Sequence, residues 1–421
     1  MAPEAAVPAG EDLMSIRVVS RRLVKASDAT IQPHVAAVSN LDLYFNNYQA
    51  CMVCLYPKLP AAAGSFDAVV AAFEAGLPSL LNHFYPLAGR IVVDTVSGLP
   101  ELQCYNQGAE LVVGEVDAAL GSLEFAGMDG SLRRIMLPYP NDVMLSVQLL
   151  RFACGGFSVV WGCNHLLHDG YGVTMVVRAW SELARTGGIA DGVVNHDRSV
   201  FRPRRPPSYG AAVSATFAAY DDSRLVNVLT TQASFVERLY YIEAGDVDRL
   251  RDMASTKLQR SSRVQAVSAF LWKALAGVVA ASRVPKERDT IASIDYDAYM
   301  QEMVDWVEEH KTEKMMEVGA LGLGSPTVNQ TVFASFPLDT DFGFGEATLA
   351  MPVWENGRVS SGTLAVGNGR VSSGTLAVGV RPGGDGSWLV SAYIWPRLAA
   401  ALESDDHRIF KPLTAGYLGL V

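Results

Sequence analysis

Two apolar runs of strand length, Met144 to Phe152 and Phe157 to Cys163, are parted only by a short segment holding Gly155-Gly156, which reads as a hairpin-like junction. After them Val173, Val176, Val177, Trp180 and Ala184 keep helical spacing, and Asp169 stands where it can initiate that helix. Strand, strand and helix in such close succession commit this region to an α/β fold. The join between strand and helix is Asn164-His165-Leu166-Leu167-His168-Asp169-Gly170, an H-x-x-x-D-G turn.

An imidazole delivered by an apolar strand to a glycine-containing turn is placed as a general base is placed. Histidine's ordinary pKa of about 6.5 lets it take a proton at neutral pH and return it. The pattern alone is weak, because a lone histidine beside a core strand is commonly a satisfied structural residue. His165 and His168 also form an H-x-x-H pair, but a metal would need a third ligand that the sequence does not show. The expectation is therefore a proton-abstracting His165, an Asp169 that shapes the turn, and no metal.

The rest of the chain supports two domains. Its 421 residues are 49% hydrophobic and 19% charged, enough for two buried cores. Ile16 to Val24 reads as an opening strand, and Ser65 as the cap of a helix through Phe73, with Pro78 expected to break or kink the chain beyond it. From Thr186 to Tyr209 Gly, Pro and charge accumulate, which marks a crossover at 186–215 between domains at 1–185 and 216–421. Arg202-Pro203-Arg204-Arg205 within it reads as a solvated linker. Val264, Val267, Leu271, Ala274, Leu275 and Val278 mark one helix and Tyr296 to Glu317 a second, charged one, so the second domain is mixed α/β as well.

A net charge of −10 argues against a nucleic-acid-binding face. Five cysteines, Cys51, Cys54, Cys104, Cys154 and Cys163, lack disulfide-framework spacing, and Met1 to Leu13 lacks a basic start and apolar core. The expected location is cytoplasmic. Cys51-Met52-Val53-Cys54 sits in a strand-like run and reads as core. No uninterrupted apolar stretch reaches about 18 residues, so no membrane span is expected. Asn356 to Gly367 recurs letter for letter from Asn368 to Gly379; two copies do not make a solenoid, each Asn-Gly suits a turn that could add a hairpin, and a recent insertion without function is the preferred reading.

Three motifs in order raise the specificity of the His165 turn: Tyr85-Pro86-Leu87-Ala88-Gly89-Arg90, then His165 to Gly170, then Asp341-Phe342-Gly343-Phe344-Gly345. With His196-Asp197-Arg198-Ser199 and Ala269-Phe270-Leu271-Trp272-Lys273, they resemble the plant BAHD acyltransferases from about Ile16 to the C-terminus. The resemblance implies two similar chloramphenicol-acetyltransferase-like α/β domains with mixed sheets and a channel between them. It further implies acyl-CoA as co-substrate, no permanently bound cofactor, a small alcohol or amine acceptor and a monomer. His165 would be the base, Asp169 and Gly170 would support its turn, and Asp341 to Gly345 would shape a loop on the CoA side, with Phe344 replacing the usual Trp.

The chain also departs from the family. Relatives carry, between the positions of Thr290 and Ile291, a stretch with V-D-x-R-x-R and G-N elements that supplies the arginine partner of the motif aspartate. Without it, an unpaired Asp169 carboxylate is expected to cost about 1 to 3 kcal/mol. Ala334-Ser335-Phe336-Pro337-Leu338 lacks the arginine that relatives use for acidic acceptors, which disfavours an acidic acceptor here. The leading expectation is transfer of an aromatic or aliphatic acyl group to a hydroxyl or amine of a plant metabolite. The alternative is a catalytically inactive, truncated relative that binds CoA esters or a partner. A condensation domain is disfavoured because Asn164 stands where its first histidine would be.

Overall fold

The computed structural model describes residues 14–44, 49–60, 64–190, 194–220, 235–281, 295–317, 328–354 and 374–421. The junction after Thr290, and the repeat up to residue 373, lie outside them. Two mixed sheets dominate. The first has six strands in the order Ile16–Val24, Ala109–Val116, Leu145–Phe152, Phe157–Asn164, Gln49–Tyr56 and Leu349–Trp354. The second has five, in the order Val328–Val332, Gly374–Val380, Trp388–Ile394, Val236–Ile242 and Lys411–Pro412. Each contains one parallel pair among antiparallel neighbours.

Alternation along single strands explains the layering. In Gln49–Tyr56, Met52, Cys54 and Tyr56 enter one core while Cys51, Val53 and Leu55 enter the next. In Val236–Ile242, Leu239 and Tyr241 join that same middle core, and Tyr240 and Ile242 face the opposite way. The middle core is thus where residues of the two sheets meet. Outside it, the helices Phe66–His83 and Gly170–Thr186 cover the first sheet, while Ala244–Ala254, Arg263–Ala281 and Pro396–Glu403 cover the second. Cys51 and Cys54 point to opposite faces of their strand, so they cannot share a ligand.

Three expectations need correction. Pro78 neither ends nor interrupts its helix, which runs from Phe66 to His83. A proline inside a helix costs about 3 kcal/mol, but the turns around it bury Leu77, Leu80 and Leu81 completely, at about 1.5 to 3 kcal/mol each. The charged helix from Tyr296 stops at His310, and Met315–Glu317 instead pairs with Phe217–Ala219. Arg204 is exposed, as a linker residue would be, but it is also anchored: its backbone and guanidinium donate to Asp305, whose side chain is fully buried. Among the described residues, Arg263–Ala281 alone is by length and composition apolar enough to cross a bilayer, and it places Val267, Leu271 and Leu275 in the core beneath the second sheet's helices.

The strands do not follow a linear division at residue 216. Leu349–Trp354 returns from the second half to pair with Gln49–Tyr56, in register from Leu349 with Leu55 to Trp354 with Ala50. It is an edge strand, the one place where Pro352 removes no ladder hydrogen bond. The tail of the second repeat copy, Gly374–Val380, is an inner strand of the second sheet.

Candidate active site

The strand Phe157–Asn164 is buried along its whole length, and it ends on a side chain that builds the turn. The Asn164 carboxamide oxygen accepts from the Leu166 amide at 2.9 Å, and the Asn164 carbonyl accepts from the Leu167 amide at 3.0 Å. Leu166, 1% exposed, pins the turn to the first core. His165 is carried between these anchors and is only partly buried. Burial lowers its pKa below 6.5, partly offset by the Asp169 carboxylate, so the ring is a neutral base at pH 7.

Asp169 ends the turn. Its Oδ1 accepts from the Gly172 amide at 2.7 Å, which caps the helix Gly170–Thr186. The carboxylate is exposed, and among the described residues no arginine pairs with it. The expected penalty for an unpaired carboxylate therefore does not arise, because that penalty belongs to buried groups and this one is solvated and bonded to a backbone donor. The two glycines matter for space rather than for φ. A Cβ on Gly170 would lie 2.7 Å from Phe333, and one on Gly172 would lie 2.8 Å from Nδ1 of His168. His168 fills that gap, and burial takes its pKa down to about 4, against the opposing pull of Asp169 and with Arg198 reinforcing it.

The other motifs gather on one side of this turn. The Tyr85 ring lies 4.6 Å from that of His196 and is tilted 48° to it, and His196 Nε2 lies 2.9 Å from the His83 carbonyl oxygen. Arg198, close enough to act on His168, pairs with Asp42 at 2.6 Å. Arg90 reaches the carbonyl oxygens of Gly89 and Gly108 at 2.7 and 2.8 Å, and a Cβ on Gly89 would collide with the Gln103 carbonyl oxygen at 2.5 Å. This segment locks the small sheet of Arg90–Val93, Pro100–Cys104 and His34–Ala37 in place.

Asp341 to Gly345 stands elsewhere. Ser181 donates to the Asp341 carbonyl oxygen at 2.6 Å, and Arg185 pairs with Asp339 at 2.5 Å. At 1.5 Å per residue, the helix separates Arg185 from Asp169 by about 24 Å. The Asp341 carboxylate accepts from the Gly343 and Gly345 amides, and both glycines have φ near +90°, which disfavours any side chain. Phe342, 2% exposed, lies edge-on to Phe73 and Trp161 in the first core. Phe344 packs at the margin of that core.

Sequence reasoning missed Asn164 as the builder of the turn, although an asparagine next to a motif histidine is a legible signal for a side-chain-capped turn. It also missed Asp305 and Asn40. Asn40 donates to the Val304 carbonyl oxygen and to Glu308, and with Asp305 it clamps the crossover, Asn40–Tyr44 and Tyr296–His310 together. Burial pushes the Asp305 carboxyl up, but its hydrogen bonds from Arg204, Ser208 and Gln301 outweigh this and hold it below the usual range. Among the described residues no cluster of three or more His, Cys, Asp or Glu is placed to hold a metal.

Comparison with known proteins points in one direction. The Transferase family model matches residues 14–293. The chain is 29% identical over 294 residues to putrescine hydroxycinnamoyltransferase 1 of Oryza sativa subsp. japonica, covering 64% of this chain and 63% of that protein. It is 26% identical over 268 residues to spermidine coumaroyl-CoA acyltransferase of Arabidopsis thaliana, covering 60% and 56%. The chain thus spans about six-tenths of the length of these relatives. In fold it resembles vinorine synthase, with a TM-score of 0.64, 16% identity and coverage of 95% of this chain and 100% of that one. It likewise resembles F. graminearum TRI101 in complex with coenzyme A and T-2 mycotoxin, with a TM-score of 0.64, 14% identity and coverage of 90% and 99%.

Proposed function

Since the chain belongs to the Transferase family, the BAHD acyltransferases, we propose that it transfers an acyl group from an acyl-CoA to a hydroxyl or amine of a plant metabolite, with His165 as general base. One observation carries the reading: a partly buried imidazole, kept neutral by burial, at the end of a rigid buried strand. In this reading His165 takes the proton of the acceptor as its oxygen or nitrogen attacks the thioester carbonyl. The tetrahedral intermediate then collapses, the carbon–sulfur bond breaks, and the imidazolium returns the proton to the departing thiolate. Neither an acyl-enzyme nor a resident cofactor is needed. Asp169 and Gly170 hold the turn, Asp341 to Gly345 act at a distance through the core, and the enzyme works as a cytoplasmic monomer.

The named relatives favour an aromatic acyl group, and amines such as putrescine and spermidine head the acceptors to try. The test follows free thiol when the chain is given coumaroyl-CoA with putrescine, spermidine or a long-chain alcohol. The expected result is acceptor-dependent thiol release that falls by about 10² to 10⁴ in His165→Ala. Equal rates in the two proteins would remove His165 from the reaction.

A second reading, a non-catalytic relative that binds CoA esters, is favoured by one observation: Asp169 has no arginine partner among the described residues. Thermal stabilisation by coenzyme A without thiol release from any pair would select it.

A further inference from the structure

The outer helical layer of the second half contains a cleft of about 430 Å³ that the proposed reaction does not use. It lies between the helices Ala244–Ala254, Arg263–Ala281 and Pro396–Glu403 and the turn after the last of them. Ala254, Ala266, Ala269, Ala274 and Ala401 line it, and side chains this small on three neighbouring helices leave the gap unfilled. Its size falls within the range of small-molecule sites, about 300 to 1,000 Å³.

The lining has a definite chemistry. Phe270 contributes an aromatic wall, its ring stacked within 12° of parallel to Phe410 at 5.9 Å. Met253 is 65% exposed, a flexible thioether able to close over an aromatic face. Among the described residues, the arginine and the aspartate at the rim are already engaged. Arg249 donates to Asp246 at 3.0 Å and to the His407 carbonyl oxygen at 3.1 Å. The Asp405 carboxylate accepts from the His407 amide at 3.0 Å. Lys273 is exposed and has no ion pair or hydrogen bond among the described residues.

We propose that this cleft binds a small planar aromatic monocarboxylate, its ring between Phe270 and Met253 and its carboxylate on Lys273. An apolar aromatic wall beside a cation that has no partner among the described residues matches a flat apolar body with one negative charge. Asp405 at the same rim opposes a second carboxylate on the ligand. The site stands apart from the His165 turn and does not rest on the acyl-transfer reading.

Equilibrium dialysis of 2-naphthoate against the full chain, with saturating coenzyme A present, tests the proposal. The expected result is binding tighter than about 1 mM, weakened about tenfold by Lys273→Gln and about tenfold for the neutral 2-naphthamide. Lys273→Gln should no longer distinguish acid from amide. Ala269→Leu, which fills the cleft, should weaken both ligands further, while His165→Ala should change nothing. Lys273 is exposed, so its variant folds and the test survives even if Ala269→Leu does not. No binding at 1 mM, equal binding of 2-naphthoate by Lys273→Gln, or its displacement by coenzyme A would each overturn the proposal.

Discussion

Asp169 and Asp341 use the same device in two places: each carboxylate accepts backbone amides of nearby glycines and so holds a tight turn. The difference lies in the neighbourhood. Asp169 is exposed at the start of a helix, beside two imidazoles whose charge it influences. Asp341 sits near the other end of that helix, its carbonyl oxygen bonded to Ser181, where its motif drives Phe342 into the first core and leads the chain into the strand Leu349–Trp354. The same aspartate device thus holds a turn beside two imidazoles at one end of the helix Gly170–Thr186 and a core-packing turn near the other.

The contrast yields predictions that can break it. The largest concerns Phe342→Ala, which should cost about 3 to 5 kcal/mol in urea unfolding, because it empties a site among Phe73, Trp161 and Tyr56. A loss below 1 kcal/mol would show that the second turn is not a core anchor.

Next in size is a pH effect at the first turn. His168 has a folded pKa of about 4 against 6.5 in the unfolded chain, so the unfolded state binds the extra proton between these values. Stability contributed by the neutral ring is complete above about pH 6.5 and lost as pH falls toward 4, by at most about 3 kcal/mol. His168→Asn should flatten that slope in a pH series of denaturant melts, and an unchanged slope would assign it to other groups.

Gly172→Ala comes third. Its new methyl meets His168 Nδ1, so about 1 to 3 kcal/mol of stability should go, together with altered turnover that Gly187→Ala would not reproduce. Smallest is Asp169→Ala, at about 1 kcal/mol for the lost cap, with Asp169→Asn restoring most of it.

Much of this was legible in the sequence where local periodicity carries the information. The strands around Gly155-Gly156, the helix after Asp169 and the helix from Arg263 are written in apolar spacing that packing then reinforces. The His165 turn was legible as a motif; its builder Asn164 was overlooked because a side chain capping a turn leaves residue identity but no periodic trace. Nor was the pairing of Leu349–Trp354 with Gln49–Tyr56, because a ladder closed across some 300 residues is chosen by tertiary packing and not by local preference. Pro78 misled for a related reason: its local penalty was visible, and the three buried leucines that outweigh it were visible only as pattern. Arg204 misled because a basic run looks unanchored until the buried carboxylate that receives it is known.

The central claim is that His165 acts as a neutral base kept so by burial. The most direct measurement is the pH dependence of kcat/KM for acyl transfer, in the wild-type chain and in His165→Ala. The predicted result is a single acidic limb with its midpoint below 6.5 in the wild type, absent from the residual rate of the variant. A midpoint above 6.5, or the same limb in both proteins, would contradict it.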